Sequence, residues 1–201
     1  TPDALVEHVI RSALDPLGGS PRVCDPAAGS GRFLVRAARH LCAEARPIAD
    51  IIASSVFGVD IDPIAVEIMR FRLWQEAGFA RDVLPMLQTN CRVGDSLVGP
   101  PPAFEGDQAA ADAWCALATG PCLHWPNAFK AAFEDDDPGF DAVIGNPPFL
   151  GQLSAGTAFH RAAAEVIRRW SDGLLRGYAD AAAAFLMRSV QLVRQGGRVA
   201  L

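Results

Sequence analysis

Ten residues near the amino terminus constrain the fold more than any others. Asp25-Pro26-Ala27-Ala28-Gly29-Ser30-Gly31-Arg32-Phe33-Leu34 joins a short apolar run, Arg22-Val23-Cys24-Asp25, to an Arg/Ala-rich segment from Arg32 to about Glu44. A strand that turns on small residues into a helix is the βα unit of a parallel sheet. Small residues let the backbone turn sharply and approach a ligand closely. The helix start adds unpaired N–H groups and the positive end of its dipole. A dinucleotide site is disfavoured, because Leu34 stands where G-x-G-x-x-G needs its third glycine.

The βα alternation continues along the chain. A helix is predicted from Asp3 to about Leu14, with Leu5, Val9 and Ile10 at helical spacing. A second strand is predicted over Ser55 to Asp60, and a helix from Pro63 to about Ala77 with Asp62 as its cap and Pro63 at its first position. Gln88 to Val93 can be a third strand and Phe140 to Gly145 a fourth. The stretch from Val98 to Gly120 is Pro- and Ala-rich and reads as a loop or insertion. Ala158 to Trp170 and Ala181 to Val193 are helix candidates, with Leu186, Val190 and Val193 on one face. Gly196-Gly197 ends the last helix, and Arg198 to Leu201 starts a fifth strand. The expected fold is α/β, a doubly wound, mostly parallel Rossmann-like sheet in one domain over residues 1–201.

The fourth strand stops at Asn146-Pro147-Pro148-Phe149. Two prolines remove two backbone donors and fix φ, and Pro147 biases Asn146 away from helical geometry. The product is a rigid extended turn at a strand's carboxyl end, with an amide, exposed carbonyls and an aromatic ring. That set suits a planar molecule with an amino group. The ring stacks on its face while the amide oxygen and a main-chain carbonyl accept from its NH2.

This tetrad and the Asp25–Leu34 loop resemble the catalytic and S-adenosylmethionine motifs of the γ-class N6-adenine DNA methyltransferases, of the type fused in large restriction-modification enzymes. Ala28 replaces the family's usual Cys, small for small. The order Thr1-Pro2, glycine loop, Gly58-Val59-Asp60-Ile61, Gly94-Asp95-Ser96-Leu97 and tetrad is that of the γ class. The segment His124-Trp125-Pro126-Asn127-Ala128-Phe129 is also similar to one in the fused enzymes, while Ala183 sits where a tyrosine is often found.

The resemblance implies methyl transfer from S-adenosylmethionine to N6 of adenine in DNA. Catalysis falls to Asn146, Pro147, Pro148 and Phe149, with the base flipped out of the duplex and stacked on Phe149. Cofactor binding falls to Thr1, Asp25, Pro26, Ala27, Gly29, Gly31, Asp60, Ile61, Asp95 and Ser96. Within that set Thr1 touches the methionine end, Asp60 the ribose and Asp95 the adenine amine, although Asp95 alone is equally a turn residue. The tetrad reads only an aromatic amine, so N4-cytosine, an RNA base or a protein glutamine stay open as substrates. So does a catalytically silent subunit of a DNA-modification complex. A sheet of this kind is expected to continue past Leu201 and to need a target-recognition domain or partner chain.

Bulk properties set the remaining bounds. The net charge of −5 over 201 residues argues against a DNA binder held by bulk charge, and Lys130 is the single lysine. Arg161, Arg168 and Arg169 could pair with phosphates, or form a solvated helix face. The five cysteines include no Cys-x-x-Cys pair and read as buried thiols of a reducing compartment. His8, His40, His124 and His160 form no metal spacing, and no metal is required. No apolar stretch approaches a membrane span, and a cytoplasmic location is expected.

Overall fold

The computed structural model describes residues 1–42, 46–102, 108–116, 121–134, 136–148, 167–175 and 181–201. The helices are α1 (Asp3–Leu14), α2 (Arg32–Cys42), α3 (Ile48–Ser55), α4 (Pro63–Glu76), α5 (Val83–Asn90), α6 (Gln108–Cys115), α7 (Trp125–Ala128), α8 (Lys130–Phe133) and α9 (Ala181–Leu192). The strands are β1 (Val23–Asp25), β2 (Val56–Asp60), β3 (Cys91–Val93), β4 (Phe140–Ile144) and β5 (Val193–Ala200). They form one sheet in the order β3-β2-β1-β4-β5, and every neighbouring pair is parallel.

Both faces of the sheet are covered, which is why its central strands read as apolar runs rather than alternating ones. Successive side chains point to opposite faces. Val23, Val56, Ala142 and Ile144 pack with Ile10, Leu34, Ile52, Met69 and Leu87 on the side of α1 to α5. Cys24, Phe57, Val59 and Val143 pack on the other side against Trp125, Phe129 and Leu192. There Phe57 lies 5.3 Å from Phe140 and 5.9 Å, edge-on, from Phe129, centroid to centroid. Burying one such ring contributes about 1.5–3 kcal/mol relative to leaving it in water.

Several expectations needed correction. Residues Ile48–Ser55 form α3, so β2 begins at Val56. The predicted third strand is mostly helix. Its first residues belong to α5, and only Cys91–Val93 pair in the sheet. Within the stretch read as an insertion, Gln108–Cys115 is helical. The helix predicted over 158–170 lies largely outside the described residues, where only 167–170 appear, as a helical turn.

The last helix also turns its other side inward. Leu186 and Val190 are 50% and 60% exposed, while Ala184, Phe185, Arg188, Ser189 and Leu192 are buried. After it the chain enters β5 at Val193, and Gly196 (φ 75°) sits in an irregularity between the Val193 and Arg198 pairings with β4.

The cysteines divide differently from the expectation of five thiols. Cys115 and Cys122 form a disulfide, because the chain returns to bring their Cα atoms to 5.2 Å. Cys24 and Cys91 are buried thiols and Cys42 is half-buried. Among the described residues, no helix is long and apolar enough to cross a membrane.

Candidate active site

The strand order reverses beside β1, between β2 and β4. In an open parallel sheet the crevice outside the carboxyl ends at such a point is the binding place. The glycine loop and Asn146 follow strands that end there, and Asp60 is the last residue of β2.

The glycine loop is tied at nearly every residue. Ala27 N–H donates to Asp25 Oδ1 (3.0 Å), Ala28 N–H to Val59 O (2.9 Å) and Gly29 N–H to Asp60 Oδ2 (2.7 Å). The Ser96 hydroxyl donates to Pro26 O at 2.6 Å. Arg72 reaches across from α4 to the carbonyl and hydroxyl of Ser30, at 3.0 and 3.1 Å. Gly29 and Gly31 both have positive φ, 52° and 78°. A Cβ at Gly31 would sit 2.8 Å from Met69 Cγ, whereas one at Gly29 would meet no protein atom within 4 Å. The loop is thus packed against α4 at Gly31 and open at Gly29, the arrangement a close-approaching ligand needs. Leu34, at the dinucleotide pattern's third glycine position, is accommodated from the opposite side. A Cβ on Gly58 of β2 would lie 2.6 Å from its Cδ1.

Asp60 is half-exposed. Its second oxygen accepts from Asp62 N–H at 2.9 Å, so the carboxylate bridges the loop and the start of α4. Each oxygen keeps a lone-pair direction for a further donor. Asp62 caps α4 by accepting from Ile64 N–H at 2.8 Å, with Pro63 in the first turn, as predicted. Ile61 stands beside them, 56% exposed. Asp95 follows β3. Its Oδ1 accepts from Leu97 N–H (2.9 Å), and its own N–H donates to Pro121 O (2.7 Å). Burial pushes the Asp95 carboxyl up, while the Leu97 and Val98 N–H groups and the Arg188 charge pull it down.

Asp25 is nearly fully buried. Desolvation raises its carboxyl to about 7, against the Ala27 hydrogen bond, and the charge of Asp60 adds to the rise. Its carboxylate lies against Gly145, where a Cβ would come within 2.6 Å of Oδ1.

Asn146 is exposed at the end of β4, and its Nδ2 donates to Thr1 Oγ1 at 2.9 Å. That bond commits the amide nitrogen and leaves Oδ1 as an acceptor. Pro147 is buried and Pro148 half-buried, while Phe149 lies outside the described residues. A mainly apolar cleft of about 420 Å³ adjoins the turn, with Asn146 and Pro147 facing Leu5, Val9, Ala183 and Leu186. Burial raises Cys91 to about 12 and Cys24 well above its ordinary value. Among the described residues, no group of three or more His, Cys, Asp or Glu side chains is placed to hold a metal ion.

The structure thus brings Thr1 to Asn146, Asp60 and Asp25 to the glycine loop, and Ser96 to Pro26. The residues that sequence reading passed over are Arg72 and Arg188. Arg188 alone left a trace, a charged residue amid the apolar run of α9.

A family model described as Eco57I restriction-modification methylase matches residues 54–201, most of the chain. The chain belongs to that family. A second model, N-6 DNA Methylase, matches residues 1–78 of this methylase domain. Relatives include a candidate type II restriction enzyme and methyltransferase of Methanocaldococcus jannaschii, 37% identical over 116 residues, 46% of this chain and 10% of that protein. Another is the adenine-specific methyltransferase PglX of Streptomyces coelicolor, 30% identical over 181 residues, 75% of this chain and 14% of that protein. The fold is also that of a nuclease-deletion mutant of the Type ISP restriction-modification enzyme LlaGI, solved with a DNA substrate mimic. That match has a TM-score of 0.63 at 14% identity, over 99% of this chain and 17% of that one. The methylase family's chain here therefore spans between a tenth and a fifth of the length of these proteins.

Proposed function

We propose that this chain transfers the methyl group of S-adenosylmethionine to the N6 amino group of adenine in DNA, as the catalytic part of a restriction-modification type enzyme. One observation carries the reading. Asn146, on a proline-stiffened turn, has its amide nitrogen held by Thr1 so that its oxygen is left to accept, and it stands at the strand ends that also bear the glycine loop. Membership of a methylase family supports it, as do relatives named as adenine-specific and restriction-modification methyltransferases.

S-adenosylmethionine, when bound, supplies an electrophilic methyl group. The open backbone at Gly29 fits a ligand approaching closely. Asp60 has lone pairs for two vicinal hydroxyls, and Asp95 an acceptor for an adenine amino group. Ile61 offers an apolar surface to the purine. Ser96 acts through Pro26, by holding the loop's second residue.

The adenine N6 lone pair is delocalised into the ring, which makes the nitrogen a poor nucleophile. Asn146 Oδ1 and the Pro147 carbonyl accept the two amino protons, favouring a pyramidal nitrogen with its lone pair free. Fixed acceptors also stabilise the positive charge that develops on nitrogen. Holding the two reactants in line supplies much of the remaining acceleration. Phe149 is the stacking surface for the flipped base.

DNA is the partner, and target readout falls to a recognition element or a second chain. The test is Asn146→Ala in the full gene product. Methyl transfer to duplex DNA should disappear while S-adenosylmethionine affinity falls far less, since Asn146 reaches the cofactor only through its hydrogen bond to Thr1. Retained transfer would remove Asn146 from the chemistry.

A further inference from the structure

The loop after Asp95 is held in an unusual way. Every carbonyl from Ser96 to Pro100 accepts a hydrogen bond from a side chain distant in sequence. Trp125 Nε1 donates to Ser96 O (3.4 Å), Trp170 Nε1 to Leu97 O (2.8 Å) and Trp114 Nε1 to Val98 O (3.1 Å). Arg188 takes the rest. One of its amino nitrogens donates to Leu97 O (3.0 Å) and Gly99 O (2.9 Å), the other to Pro100 O (3.3 Å).

Arg188 is completely buried, and its guanidinium carbon lies 4.4 Å from the centre of the Trp170 ring. Its Nε has no hydrogen-bond partner among the described residues. Gly99 is required by the same arrangement, because a Cβ there would fall 1.8 Å from Leu123 O.

Connecting loops normally leave such carbonyls to water. Burying a guanidinium is costly even with the Asp95 charge nearby, and well-packed apolar residues often replace buried ions without loss of stability. A rigid fork that serves three carbonyls at once is a geometric device. The loop it fixes opens with Asp95, whose carboxylate is bonded to Leu97 N–H, one peptide from the carbonyl that Arg188 and Trp170 share.

We infer that Arg188, stacked on Trp170, is a positioning residue that sets the Asp95 carboxylate to select an amino-bearing purine in the cofactor. This rests on the reading of Asp95 as the acceptor for the cofactor's adenine amine. Arg188 touches no substrate; it acts through the backbone of residues 97–100.

The experiment compares two ligands by calorimetry on the full gene product. S-adenosylhomocysteine carries the 6-amino group, and S-inosylhomocysteine carries a carbonyl there. Wild type should prefer the adenosyl ligand by about tenfold or more, the effect of one hydrogen bond to a charged acceptor. Arg188→Lys keeps the charge and loses the fork, so the preference should fall below about threefold, with affinity for the inosyl ligand nearly unchanged. Trp170→Phe keeps the ring under the guanidinium and deletes one donor, and should give an intermediate preference. This second variant decides the matter if Arg188→Lys does not fold.

Equal weakening of both ligands in the variants, with the preference intact, would make Arg188 merely structural and overturn the inference alone. A wild type that binds the adenosyl ligand without preferring it would remove the role of Asp95, and the inference with it. A wild type that binds neither ligand would overturn the cofactor reading itself.

Discussion

At the residue scale the site rests on a few acids and one amide. Asp60 holds Gly29 N–H and, in our reading, the cofactor's ribose. Asp60→Ala should weaken S-adenosylmethionine binding by about 1–3 kcal/mol, measured by calorimetry, with unchanged affinity counting against the role. Asp25 makes a prediction with a sign. Its folded-state pKa of about 7 lies above the ordinary 3.8, so the folded state binds the proton more tightly than the unfolded chain. Its ionisation costs the fold nothing below about pH 4. The cost grows as pH rises through the interval and is complete above about pH 7, where it reaches roughly 4 kcal/mol. Asp25→Asn removes that titration. Relative to the variant, wild type should lose stability between about pH 4 and pH 7, read as a difference in denaturant midpoints. Parallel pH profiles would contradict the burial argument.

At the element scale the loop after β3 is the sensitive part. Gly99→Ala would drive a Cβ into the Leu123 carbonyl, a backbone atom that cannot rotate away. Overpacking of this kind costs about 1–3 kcal/mol. Gly18→Ala, where nothing lies within 4 Å, is the control and should stay within about 0.5 kcal/mol. Equal denaturation midpoints for the two would deny the close approach.

The legibility of the elements follows from how local their signals are. The Asp62 cap was readable because its partner lies two positions away, and the sharp turn of the glycine loop because its small residues are adjacent, although the bonds that tie that loop come from Asp60, Arg72 and Ser96. The failures came where tertiary contacts decided. Leu186 and Val190 share a stripe on α9 that stays exposed, because Ala184, Phe185 and Leu192 offer the closer-packing face and Arg188 has its carbonyls there. The clamp on residues 96–100 draws on Trp114, Trp125, Trp170 and Arg188, whose partners lie 16 to 91 positions away. The disulfide was hidden for a different reason. A separation of 7 residues matches no metal or redox motif, and only the return of the chain beside Asp95 makes it possible.

At the scale of the whole molecule, charge bears on how the chain would meet its proposed DNA substrate. Its net charge of −5 offers little general attraction to phosphates. The chain by itself should bind random duplex weakly. Its affinity should fall only shallowly with salt, with a slope matching no more than about three phosphate contacts. Fluorescence anisotropy at two salt concentrations measures this, and a steep slope would reveal a basic face that the bulk charge conceals.

The relatives are several times longer than this chain, and within them a methylase domain of this kind is one part. In our reading, Asn146 carries N6-adenine methylation in such a domain. The most direct measurement is mass spectrometry of nucleosides from DNA of cells expressing the full gene product, as wild type and as Asn146→Ala. Our account predicts N6-methyladenine with the wild type and none above background with the variant. Finding 5-methylcytosine as the product, or N6-methyladenine undiminished by Asn146→Ala, would contradict it.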